Sequence, residues 1–116
     1  MSLLHASAGQ AIDIQPLGAQ LASAKTVALF KARDLEVMRL VLLAGKSLPA
    51  HKVAGEITIQ CIEGVLDVTL EGQSHVLRAG QLLFLPGMAL HGVKALEDAS
   101  ALVSMVLRPA AVAGSS

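Results

Sequence analysis

The chain has 116 residues, room for one hydrophobic core and no second folded unit. Hydrophobic residues make up 53% and charged residues 16%, which excludes a disordered chain. Nine basic against nine acidic side chains, with no Lys/Arg cluster, leave nothing to neutralise a nucleic-acid backbone or dock on an anionic membrane. The two aromatics, Phe30 and Phe84, make the expected core aliphatic. Cys61 stands alone, so no internal disulfide forms, and Met1 to Gln10 lacks a basic region followed by an apolar run. Both point to a cytoplasmic protein.

In chain order, residues 1–25 read as an N-terminal extension. Within it Ala11 to Ile14 is a candidate short strand, and Pro16 to Ala24 a helical turn or covering loop. From Thr26 onward short apolar segments alternate with turn signals, the pattern of sandwiches and barrels. The spacing predicts strands at Thr26 to Lys31, Glu36 to Leu43, Glu56 to Ile62, Val65 to Leu70, Ser74 to Leu77, Leu82 to Leu85, Gly92 to Ala95 and Ala101 to Leu107. Turns fall at Gly45, Gly64, Glu71-Gly72, Ala79-Gly80, Pro86-Gly87 and Glu97-Asp98, where glycine supplies positive φ and proline refuses a ladder hydrogen bond. Ile57, Ile59 and Cys61 alternate with Glu56, Thr58 and Gln60, so the odd positions are expected to face inward. Leu66, Val68 and Leu70 alternate likewise, and Glu71-Gly72 is expected to close a hairpin onto Ser74 to Leu77. So many short antiparallel strands satisfy their edges best by closing into a jelly-roll barrel, expected over 26–108. The tail 109–116 has small residues and no pattern, and is expected to be disordered.

Gly45-Lys46-Ser47-Leu48-Pro49-Ala50-His51, with Glu63-Gly64 beyond it, resembles the first conserved motif of the cupin superfamily. In that motif a glycine is followed after five residues by His-x-His, then by a glutamate and a second glycine. Gly80, Pro86 and His91 resemble the second motif, with Gly87 one place early. The two motifs span Gly45 to His91, about 40% of the chain. The resemblance implies an all-β fold of the RmlC-like type, a double-stranded β-helix or jelly-roll barrel. In metal-dependent cupins three histidines and a carboxylate hold iron, manganese, nickel or zinc. Here His51 and His91 match two of those positions, whereas Val53 stands where the second histidine belongs and Ile57 where the glutamate belongs.

The expected function is therefore a binding module. His51, Val53, Ile57, Ile59, Met88 and His91 would line a pocket for a small apolar or weakly polar molecule, because aliphatic replacements dry the site and penalise unpaired charge. A divalent transition metal on His51 and His91 alone would be held weakly, so no tightly bound cofactor is expected. The alternative is a metal-dependent enzyme, such as a dioxygenase, isomerase or lyase, using His51, His91 and Glu56. That requires a bulge at Gly55 to turn Glu56 inward. A third reading makes the barrel a scaffold only. Cys61 reads as core, His75 as a surface or satisfied histidine, and no nucleophile motif is present. With so few charges the barrel is expected to pair as a homodimer, with Ile62 outward and in the interface.

Overall fold

Apolar side chains that recur at every second position can share a core only if their strands stack as two facing sheets. The computed structural model describes residues 5–107 and realises that arrangement. Nine strands follow one another: β1 (Val27–Lys31), β2 (Leu35–Leu42), β3 (Ser47–His51), β4 (Ile57–Glu63), β5 (Val65–Leu70), β6 (Gln73–Arg78), β7 (Leu82–Leu85), β8 (His91–Ala95) and β9 (Ala99–Val106). One sheet has the order β1-β2-β9-β4-β7 and the other β3-β8-β5-β6. All their pairings are antiparallel. This is the all-β jelly-roll barrel expected from the sequence.

The core lies between the sheets, built from Ile57, Ile59 and Cys61 of β4, Leu66 and Val68 of β5, Leu85 of β7, and Ala99, Ala101 and Val103 of β9. The alternation read from β4 and β5 thus sets their inner faces. At the predicted hairpin Leu70 pairs with Gln73, and both turn residues have positive φ, 49° at Glu71 and 84° at Gly72. That is the type I′ geometry whose twist matches two antiparallel strands. Gly64 links β4 to β5 at φ 79°, so close to the Asp98 carbonyl that a Cβ there would collide with it.

Two expectations are corrected. Ala11 to Ile14 forms no strand. The segment Ser47–His51, read as motif and turn, is the extra strand β3. Every residue of β3 is exposed, so it carries no alternation to read, and Pro49 is tolerated because β3 is a sheet edge. Pro16 to Ala24 does contain a short 3-10 helix, Gly18–Ser23. The tail expected over 109–116 lies outside the described residues.

The N-terminal segment is an arm across the outer face of the five-stranded sheet. The Ala6 N–H donates to the Leu29 carbonyl at 2.8 Å, and the Asp13 carbonyl accepts from Arg39 Nη2 at 3.3 Å. Further on, the N–H groups of Leu17 and Gly18 donate to the Glu63 carboxylate at 2.9 and 3.1 Å. A β-bulge between Cys61 and Glu63 sets Glu63 opposite Ser100, whose hydroxyl donates to the same carboxylate. Arg39 is buried beneath the arm and reaches the Ser100 hydroxyl at 3.5 Å. The carboxylate therefore caps the start of the 3-10 helix from a distant strand.

Candidate functional site

Strands β3 and β8 pair so that His51 and His91 are direct Cα partners, and Leu70 of β5 is the next partner of His91. The two rings lie 4.6 Å apart between centroids and are tilted by 49°. His51 is the last residue of β3 and His91 the first of β8. His91 is buried and His51 is exposed.

Each imidazole is oriented by the carbonyl two residues before it. Nδ1 of His51 lies 3.2 Å from the Pro49 carbonyl, and Nδ1 of His91 lies 3.1 Å from the Ala89 carbonyl. A carbonyl only accepts, so each Nδ1 carries a proton, and the tautomer that does so with a free lone pair has it on Nε2. The same device orients histidines in many metal and ligand sites. Both rings can accept a hydrogen bond at Nε2 or donate electrons there.

A clamp unforeseen in the sequence fixes the entry to β8. The Glu71 N–H donates to the Leu90 carbonyl at 2.9 Å, while the Leu90 N–H donates to Glu71 Oε2 at 2.7 Å. Both backbone groups of the residue before His91 are thereby tied to the hairpin turn. The sequence marks Glu71 only as a turn residue, since nothing local shows that its side chain crosses to Leu90.

The other expected pocket residues divide into two groups. Ile57 and Ile59 are buried within the core, and Val53 is half-buried against it. Met88 is 59% exposed in the loop before β8, in a left-handed conformation at φ 64°, and its N–H donates to the Val53 carbonyl at 2.7 Å. Leu90, also exposed, flanks the same loop. Among the described residues, three surface hollows of about 450, 330 and 200 Å³ lie elsewhere, the first two between the arm and β1 and the third on the outer face of the four-stranded sheet.

Glu56 is not brought to the histidines. It is exposed just before β4, and its carbonyl accepts from the Val106 N–H at 3.0 Å. Gly55 is buried so tightly on the Val106 carbonyl that a Cβ would collide with it, so its role is close packing rather than the bulge that would turn Glu56 inward. His75 is half-buried opposite the buried Val68, on the inner side of β6. Among the described residues no three His, Cys, Asp or Glu side chains gather where they could hold a metal ion. Two imidazoles, with Val53 and Ile57 at the positions where the motif has its other ligands, do not make up the donor set of a three-histidine, one-carboxylate cage. Among the described residues, no helix is long and apolar enough to cross a membrane.

Comparison with known proteins bears on the fold and the family. No curated protein matches the chain. The fold is similar to a conserved protein of unknown function from Streptococcus pyogenes, with TM-score 0.71 and 18% identity over 95% of this chain and 98% of that one. It is equally similar to an RmlC-like cupin from Shewanella frigidimarina, with TM-score 0.70 and 20% identity over 93% and 95% of the two chains. A variant of salicylate 1,2-dioxygenase from Pseudoaminobacter salicylatoxidans matches at TM-score 0.60 and 19% identity, over 62% of this chain but 21% of that one. At such identities the shared feature is the fold. The sequence model of the cupin domain matches residues 38–107, which hold both histidines, the whole four-stranded sheet and most of the core, and the chain belongs to the cupin family.

Proposed function

We propose that this cupin binds a small apolar or weakly polar molecule at the histidine end of its barrel. The observation that carries the reading is the paired imidazoles, each with its Nδ1–H spent on the carbonyl two residues before it and its Nε2 left for a ligand. A hydroxyl or amide N–H of the ligand would donate to Nε2, while Val53, Leu90 and Met88 offer apolar contact to its body. Nothing in this scheme needs a nucleophile or a general acid. A transition metal would be held through the two imidazoles and water, weakly, because no carboxylate offsets its charge.

The test is ligand-observed NMR with a panel of small phenols and aliphatic alcohols on the wild type and on His91→Ala and His51→Ala. Binding that is saturable in the wild type and at least about tenfold weaker in both variants is expected, the effect of losing a buried hydrogen bond. Binding unchanged in both variants would move the site elsewhere. Glu56 has no part in this scheme, so Glu56→Gln is expected to bind as the wild type does.

A further inference from the structure

The arm and β1 flank a groove on the sheet that does not carry the histidines. It consists of two hollows of about 450 and 330 Å³ that share Ala6, Gln10 and Ile12 as a common wall. Together they follow the chain from Val27 to Ala32, roughly 16 Å at the ~3.3 Å rise of a strand residue. The sequence of the arm explains the gap, because Ala6, Ala8, Gly9 and Ala11 are too small to fill the space beside β1. The Gln10 N–H donates to the Ser7 carbonyl at 3.0 Å, with Gly9 at φ 81°, so the arm closes a turn on itself instead of collapsing onto the strand. The bond from Ala6 to Leu29 fixes that turn beside β1.

Along its length the groove is apolar, walled by the half-buried side chains of Ile12, Val27, Leu29 and Phe30. Its polar groups are unequal at the two ends. Lys31, exposed, is the only charged residue lining the larger hollow, and its cross-strand partner Glu36 does not line it. Gln10 Oε1 accepts from the Ser7 N–H at 3.0 Å, which leaves its Nε2 as a second donor beside Lys31. At the far end Asp13 is turned on its own chain, its Oδ1 accepting from the Gln15 N–H at 2.9 Å.

From this arrangement we infer that the groove is a second binding site, for a free medium-chain fatty acid whose acyl chain lies along Val27, Leu29 and Phe30 and whose carboxylate meets Lys31. A long apolar trough closed at one end by a cation and an amide donor complements a straight hydrocarbon with one terminal anion. A neutral hydrocarbon would leave the ammonium without a counter-charge, and a compact inorganic anion would leave the apolar walls in water. Each hollow is of the size of a small-molecule site, and a straight chain occupies both. The site is independent of the histidine end, since none of its lining residues belongs to the four-stranded sheet.

Isothermal titration calorimetry of the full chain with decanoate, kept below its micelle concentration, tests this. One saturable site is expected, with octanoate bound about four- to tenfold more weakly because two methylenes leave the groove. Decanol on the wild type, and decanoate on Lys31→Glu, are each expected to bind about fivefold more weakly, the effect of losing one exposed charge pair. Ala8→Phe, which fills the larger hollow, is expected to abolish binding with an unchanged circular dichroism spectrum. In NMR spectra decanoate is expected to shift the Phe30 ring resonances and not those of the His91 imidazole, and His91→Ala to bind it as the wild type does, so that failure here and failure at the histidine end are told apart. No saturable heat, decanol bound as tightly as decanoate, unchanged binding in both Lys31→Glu and Ala8→Phe, or shifts at His91 in place of Phe30 would each overturn the inference.

Discussion

Burial by itself would push the Glu63 carboxyl up, yet the Ser100 hydroxyl, the N–H groups of Leu17 and Gly18 and the nearby Arg39 guanidinium all favour the carboxylate. Together they prevail and hold it below the ordinary glutamate range. A carboxyl with a lowered folded value binds protons more readily when unfolded, so its stabilisation is complete above the ordinary range. It fades as pH falls through the folded value. Glu63→Gln is therefore expected to lose about 1–2 kcal/mol at neutral pH and to flatten the acid limb of a stability profile measured by urea unfolding. Cys61 moves the other way: burial raises its thiol, the Glu63 charge adds to the rise, and the hydrogen bond to the Glu63 carbonyl opposes it. In the native protein Cys61 is expected to react with a disulfide reagent only as fast as the barrel opens, so rapid stoichiometric labelling would contradict its place in the core.

Among the elements, the β5–β6 hairpin does more than close a sheet, because its turn grips the residue before His91. Gly72→Ala puts a side chain at φ 84° and is expected to cost about 1 kcal/mol by thermal unfolding. Glu71→Ala removes the carboxylate from the Leu90 N–H and is expected to cost about 1–2 kcal/mol. Only the second should also shift and broaden the His91 imidazole resonances, since it frees the entry to β8. Equal broadening in both variants would mean that the turn, not the carboxylate, orients the ring.

For the whole molecule, the chemistry of the histidine end depends on what the barrel fails to assemble. His51 and His91 meet across β3 and β8, but Val53 and Ile57 pack on the core and Glu56 points to solvent. Protein loaded with zinc or ferrous iron is expected to lose it on dialysis against a weak chelator, as judged by metal analysis. Stoichiometric metal that survives dialysis, and that is lost in Glu56→Gln, His51→Ala and His91→Ala, would favour the metalloenzyme reading instead.

The barrel class, most strands and the hairpin were legible in the sequence because they rest on local rules: period-two alternation in β4 and β5, and Glu71-Gly72 at a turn where two adjacent residues both take positive φ. Strand β3 was not legible, since an exposed edge containing Pro49 leaves no alternation and is held by its pairing with β8 alone. The pairing of His51 with His91 entered only through resemblance to a family. The tethers of Glu63 and Glu71 were invisible, because Leu17 lies 46 residues from Glu63 and Leu90 lies 19 from Glu71. Local chemistry chose the elements, and the burial of apolar faces between two sheets decided which distant polar groups had to satisfy one another.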